Sequence, residues 1–402
     1  MPGALLQLSA RGNQDRFLNI KPQMSLFKTQ YKRHSGFAVQ TIEQSFNSTN
    51  FGERSVCNLL KDADLISGIK LRIVLPSLNI KSMINSSACC TKDVDITCFC
   101  DKCMAPKTDC VFGWTNSIGH VMTEDYSFHV GSKEIDRRSG EWMEWWSEFA
   151  QTSEKKSGYW EMIGKREPGT FTPKTLSDSM ELIIPLDFYF TGKSSCAFPI
   201  CAIGDDNLTV EVKWRHFNEC WVSSDPDATP SFVPPFKASL LIDYVYLDQP
   251  EHFKFKNENH LYLIEQVHQN CVSHFGHNAR DVMVDLNYAQ PTKAVYWAIQ
   301  RADVRKKSLK KDSDFTYGND IYNYSCYKSR HKSSIKDTFN EASISLDGQD
   351  RTGTFSAKYY RLAQSYDYHT KTPSNFIICI VLQYPQKIIS RQEHVISRCL
   401  IK

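Results

Sequence analysis

Ile69-Lys70-Leu71-Arg72-Ile73-Val74-Leu75 is the stretch that decides the fold class. Ile69, Leu71, Ile73 and Leu75 fall on one side of an extended backbone while Lys70 and Arg72 fall on the other, as in a strand with one face in a core. The same period of two returns in Met180 to Phe190, in Leu208, Val210, Val212 and Trp214, in Ala238 to Tyr246, and in Val295, Trp297 and Ile299. Such strands, separated by turn-rich loops, bury their apolar faces against one another as sandwiches, so the class is all-β.

One segment follows the other period. Trp142, Trp145, Trp146 and Phe149 recur at helical spacing behind Ser139, a suitable N-cap, with Glu141 in the first turn. The spacing predicts a short helix laid against the first sandwich, its indoles serving as ordinary core. Asp225-Pro226-Asp-Ala-Thr-Pro230-Ser-Phe-Val-Pro234-Pro235 has few ladder donors and favours turn-like backbone, which predicts the junction between two halves there.

Composition fits two sandwiches. At 402 residues the chain is long for one domain and comfortable for two, and 41% hydrophobic residues can fill two cores. A net charge of +3 is too small to make nucleic acid the principal partner, so no sequence-specific nucleic-acid binding is expected. The beginning of the chain lacks the charged, apolar and small-residue series of a secretory signal, and Pro2 stands where myristoylation needs glycine. With no apolar run near the ~18 residues of a bilayer span, the expectation is a soluble protein without a transmembrane segment.

A series of short motifs runs through the chain in order. It begins with Gly3-Ala-Leu-Leu-Gln-Leu8, Gln14-Asp15, Gln23 to His34, Phe37-Ala38 and Ile42-Glu43-Gln44. Asp64-Leu65-Ile66, Leu75-Pro76, Ser117-Ile118-Gly119-His120, Gly140-Glu141-Trp142 leading to Trp146, Gly158-Tyr159 and Met162-Ile163-Gly164 follow. Then come Ile184-Pro185-Leu186 with Phe188, Phe198-Pro199-Ile200, Asp243-Tyr244-Val245-Tyr246-Leu247-Asp248, Tyr262 to Gln266, Pro291-Thr292-Lys293 with Trp297, and Asp347-Gly348-Gln349-Asp350-Arg351. Each is weak alone, but in this order, from about Gly3 to about Pro385, they resemble the major capsid proteins of large eukaryotic double-stranded DNA viruses of the iridovirus, phycodnavirus and mimivirus kind.

The resemblance implies a double jelly roll, two consecutive eight-stranded jelly-roll sandwiches with short helices in loops. Residues 1–224 would hold the N-terminal segment and first jelly roll, 225–236 the Pro-rich linker, and 237–402 the second jelly roll. It further implies a structural protein without enzymatic activity or cofactor. Three copies would form a homotrimer whose six similar sandwiches give a pseudo-hexagonal capsomer that tiles an icosahedral shell. Its partners would be its own copies, neighbouring capsomers and minor capsid or penton proteins, and its place the virion, assembled in the host cytoplasm. A minor capsid paralogue or a lattice-forming scaffold protein would share the same motifs. The other class of alternative is a receptor- or glycan-binding sandwich, with outer loops rich in Tyr, Trp and Ser.

The tail departs from the family. Gln386 to Lys402 replaces the family's Gln-Pro-rich stretch and its Gly-Thr-Cys-Asn-Phe-Ser, which predicts a second sandwich short of its last strands. Codons for Gln392 to Cys399 can be chosen so that a shifted frame spells that missing hexapeptide at the expected distance from Pro385. A frameshift, either a real mutation or a sequencing error, is therefore expected, and the underlying nucleotides decide it.

Fourteen cysteines include six in one stretch, Cys89, Cys90, Cys98, Cys100, Cys103 and Cys110. Cys98, Cys100, Cys103 and Cys110 offer four thiolates to a tetrahedral structural zinc ion, although a C-x-C pair is tighter than the usual spacing. Disulfides formed on oxidative maturation and free thiols are the alternatives, and the residues do not choose among the three. His260, Glu265, His268, His274 and His277 lack the His-x-His pair of a jelly-roll metal enzyme, so structural polar contacts are the expectation there. Arg305-Lys306-Lys307 with Lys310-Lys311 reads as a solvated outer loop, and the Asn-x-Ser/Thr sites at Asn47, Asn85, Asn207 and Asn323 as idle without secretion.

Overall fold

The computed structural model describes residues 33–78, 112–166, 179–223, 233–262, 264–270, 272–276, 279–288, 291–301, 321–325, 337–346, 348–382 and 395–401, together with Lys21, Phe27 and the pairs 98–99, 106–107 and 317–318. The first half is a sandwich of two antiparallel sheets. One sheet runs β1 (Phe37–Ser45), β13 (Lys237–Leu247), β3 (Leu65–Leu75), with β9 (Met180–Pro185) and β10 (Phe198–Pro199) sharing the far edge of β3. Its mate runs β2 (Arg54–Asn58), β11 (Leu208–Trp214), β7 (Thr123–Val130), β8 (Lys133–Ser139). Because β9 and β10 lie end to end on β3, each sheet is four strands wide.

The alternation read from the sequence is the reason for this layering. Ile69, Leu71, Ile73 and Leu75 of β3 and Leu208, Val210, Val212 and Trp214 of β11 are buried, and they meet across the sandwich in one core. Phe128 fixes the middle, with Phe190 and Phe198 edge-on at 5.0 and 4.8 Å.

The Pro-rich stretch expected to part the halves does not do so. Phe236 is buried in the first core, and β13 follows at once, hydrogen-bonded to β1 from Phe37↔Leu247 to Ser45↔Ser239 and to β3 on its other side. A proline cluster forbids ladder donors only where it sits and is silent on which sheet the next strand joins. The chain leaves the first sandwich after Leu247, where the Asp248 side chain accepts the Gln249 N–H at the N-cap of a helix, Gln249–Asn257.

In the second half, β14 (Val267–Gln269), β20 (Val395–Ile401), β15 (Thr292–Ile299) and β19 (Ile378–Val381) form a sheet, and β17 (Glu341–Leu346) with β18 (Gln349–Ser356) forms a hairpin turning at Gly348 with φ 75°. β19 is antiparallel to β15, but β20 runs parallel to both its neighbours. The C-terminal residues, expected to leave this half short of strands, occupy a place inside its sheet. A single turn of π-helix, Tyr359–Ala363, continues as the helix Gln364–Tyr368 over β19. Two small sheets complete the list: β4 (Cys98–Phe99) with β5 (Pro106–Lys107), and β6 (Phe112–Trp114) with β12 (Trp221–Ser223) and β16 (Tyr317–Gly318).

Candidate functional site: the seam between the sandwiches

Number the helices α1 (Ile118–Met122), α2 (Gly140–Ala150), α3 (Lys156–Ile163), α4 (Gln249–Asn257) and α5 (Gln364–Tyr368). The predicted aromatic helix is α2, and its cap is as read: the Ser139 hydroxyl accepts the Trp142 N–H at 3.2 Å. Its aromatic face, however, does not serve the first sandwich. Trp142, Trp145 and Phe149 are fully buried against Ala294, Tyr296 and Ala298 of β15 and against Ile377 and Cys379, all in the second half. Only Met143 turns back into the first core. The expectation of a helix against its own sandwich is corrected, because an apolar stripe says that a face must be covered and not by what.

This explains an anomaly of β15, which is buried on both faces. Val295 and Trp297 face Ile378, Ile380 and Tyr360, while Ala294, Tyr296 and Ala298 face the helix from the other sandwich. Trp142 and Phe149 each meet the Tyr296 ring edge-on at 5.3 Å, and Trp145 donates its indole N–H to the Tyr324 hydroxyl at 2.8 Å. Each such ring buries about 150–250 Å2, roughly 4–6 kcal/mol of gross transfer free energy at ~25 cal/mol per Å2. The seam is a hydrophobic core in its own right.

The third face of α2 carries charge into the interior. Glu144 and Glu148, one turn apart, share the Lys165 ammonium at 2.6 and 2.7 Å, all three buried. His120 joins Glu144 through Nδ1 at 2.7 Å and the Tyr159 hydroxyl through Nε2 at 3.0 Å. Burial alone would push the Glu144 carboxyl up, but the Lys165 charge and the hydrogen bonds from His120 and Lys165 overrule it and hold it at about 2. The same cation keeps Glu148 below the usual carboxylate range against its own burial, and the two carboxylates raise Lys165. Glu148 then reaches across the seam, accepting from the Ser374 N–H at 3.0 Å and the Ser374 hydroxyl at 2.9 Å.

A second polar tie lies at the other end. Arg138 of β8 is buried, held charged by Asp136 and Asp187, and donates to the Glu265 carbonyl at 3.2 Å, while Gln266 donates to the Ile135 carbonyl at 2.8 Å. Beside it opens a cleft of about 560 Å3 lined by both signs of charge, including Glu124, Asp125, Glu134, Arg137 and His268. β16 adds a third tie, returning from the second half to pair with β12 and placing Ile321 in the first core.

The motifs read separately in the sequence meet here. Ser117 to His120, Gly140 to Trp146 and Gly158-Tyr159 converge on Glu144. Gly140 shows why its position takes no side chain: a Cβ there would lie 2.0 Å from the Thr123 carbonyl oxygen and 2.2 Å from that of His120. Gly140→Ala is expected to cost about 1–3 kcal/mol by forcing α1 and α2 apart, read as a lower midpoint in urea.

The remaining predicted residues are described only in part. Cys98 pairs through its backbone with Lys107 in β4 and β5, while Cys89, Cys90, Cys100, Cys103 and Cys110 lie outside the described residues, as does the basic run Arg305 to Lys311. Among the described residues Cys57, Cys201, Cys220 and Cys379 are free thiols. His260 stacks on Phe255 and bonds its carbonyl, and Glu265 pairs with Lys293 at 2.6 Å, so the two lie in separate contacts; His277 is outside the described residues. Asp64, Cys201 and His252, unremarked as a group in the sequence, come together instead, drawn from three distant segments.

Comparison with known proteins places this architecture. A family model described as major capsid protein N-terminus matches residues 25–248, and one described as large eukaryotic DNA virus major capsid protein matches residues 251–381. The boundary between them falls at the crossover after Leu247. Capsid protein 1 of Acanthamoeba polyphaga mimivirus is 30% identical over 309 residues, which span 74% of this chain and 48% of that protein. The major capsid protein of Pyramimonas orientalis virus is 26% identical over 382 residues, 94% of this chain and 79% of that one. This chain thus spans about half the length of the first of these relatives. The solved PBCV-1 virus capsid superposes with a TM-score of 0.66 at 17% identity, over 92% of this chain and 83% of that one, and the fold is a double jelly roll.

Proposed function

Because this chain belongs to the major capsid protein family of the large eukaryotic DNA viruses, we propose that it is a wall unit of an icosahedral virion, working as a homotrimer. The observation that carries this reading is the seam. A shell tile must keep two sandwiches side by side as one rigid block, and here an aromatic helix of the first half is the outer cover of the second half's sheet. Three blocks then present six sandwiches in a pseudo-hexagonal outline whose side faces meet neighbouring copies and minor capsid or penton proteins. Such a role rests on surfaces rather than on a reactive pocket, so no catalysis is assigned, and the place of assembly is the host cytoplasm.

Light scattering on the purified chain tests it. A particle of three 46.2 kDa chains is the expected result. A monomer at all concentrations would overturn the capsomer. In purified virions the chain should be the most abundant protein, and a few copies per particle would make it a minor capsid paralogue instead.

A further inference from the structure

Three unlike donors meet where the chain leaves the first sandwich. Asp64 stands just before β3, Cys201 lies in the 3-10 turn Ile200–Ala202, and His252 lies in α4. One carboxylate oxygen, the thiol sulfur and one imidazole nitrogen all lie within 4.8 Å of one another, each on a partly exposed residue. The backbone fixes the arrangement. The Asp64 carbonyl accepts the N–H groups of Ile200 and Cys201 at 2.8 and 3.1 Å, and Asp64 Oδ2 accepts the Leu247 N–H at 2.7 Å. That leaves Oδ1 facing His252 Nδ1 at 2.5 Å, while the His252 N–H is tied to the Asp248 carbonyl at 2.8 Å.

We propose that Asp64, Cys201 and His252 form a binding site for one zinc-like divalent cation. A mixed oxygen, nitrogen and sulfur set is the donor chemistry of borderline ions, and zinc takes them at about 2.0–2.3 Å, which spaces donors in a tetrahedron by about 3.4–3.7 Å. The Asp64 to His252 contact opens by about 1 Å on loading, and the exposed His252 ring has room to move, its side chain being 39% exposed. An ion pair between Asp64 and His252 needs no sulfur beside it; the thiol makes the pair a chelate. On binding, the Cys201 proton passes to solvent and the thiolate becomes a ligand. Water fills the fourth position. The ion would join the rim of the first sandwich to the crossover helix.

The test must separate this site from the Cys-rich stretch, so it is resolved by peptide. The full chain is alkylated with iodoacetamide, with zinc or with EDTA, and the rate at Cys201 is read by mass spectrometry, with the partly exposed Cys196 as the internal reference. Zinc is expected to slow Cys201 at least about tenfold and leave Cys196 unchanged, and His252→Gln is expected to remove most of that protection. Zinc should also raise the melting temperature of the unaltered chain by more than that of Cys201→Ser, a comparison that holds if His252→Gln fails to fold. Equal Cys201 rates with and without zinc, protection that survives in folded His252→Gln, or the same melting shift in Cys201→Ser would each overturn the site.

Discussion

Trp145→Ala is expected to lower stability by about 3–5 kcal/mol and to split the unfolding of the chain into two transitions. The indole is fully buried at the seam and stacks edge-on against Tyr324 at 5.7 Å, so truncation leaves a cavity between the sandwiches rather than within one. It also strips the buried Tyr324 hydroxyl of the indole donor it accepts from, which adds to the cost. Each sandwich retains its own core, and the cooperativity that the seam imposes is what is lost. Calorimetry decides it. Met143→Ala, which removes a side chain of the first core from the same helix, should weaken the protein without separating the transitions, and a single transition in Trp145→Ala would mean that Trp142, Phe149 and the polar ties hold the halves together without the Trp145 indole.

Lys165→Met is the second large effect, about 3–5 kcal/mol at pH 7, because it removes the cation that two buried carboxylates share, leaving Glu144 with His120 and Glu148 with Ser374 and, at 3.9 Å, Lys371. The pH dependence carries the signature. In the unaltered chain Glu144 has its folded value depressed from 4.5 to about 2, so its contribution is present above 4.5 and is lost as pH falls toward 2. Lys165 is raised above 10.5, so its contribution is present below 10.5 and lost as pH climbs past it. Between those limits the contributions of Glu144 and Lys165 are flat with pH. Without the lysine, burial dominates and drives the carboxyls of Glu144 and Glu148 upward, which reverses the sign, and the variant should recover part of its deficit as pH is lowered from 7 toward 4. Urea midpoints at a series of pH values measure this. A deficit that grows on acidification would show that Lys165 is not what holds the two carboxylates charged.

Much of this was legible in the sequence, for a physical reason. Period-two alternation is imposed by the strand itself, so β3, β11 and β13 could be placed from their own residues. The cap at Ser139 was equally local. What could not be read is which surface covers an apolar face: Trp142 and Trp145 announce a buried helix, but the covering residues lie at Tyr296 and Ile377, far along the chain. The junction was misplaced for the same reason, since the prolines describe their own backbone and not the partner of β13. Nothing in the sequence sets Glu144, Glu148 and Lys165 apart from ordinary surface charges, and only the fold reveals that their side chains are interior. The Asp64, Cys201 and His252 group had no spacing to betray it.

Covering the second sandwich with a helix of the first also sets a timetable for synthesis. When α2 leaves the ribosome, the residues that will enclose Trp142, Trp145 and Phe149, from Ala294 to Cys379, have yet to be translated. At ~5–20 residues per second the aromatic face waits roughly ten to fifty seconds for its cover. During that interval the nascent first sandwich offers a chaperone, or another nascent copy, the same surface that later locks it to its own second half.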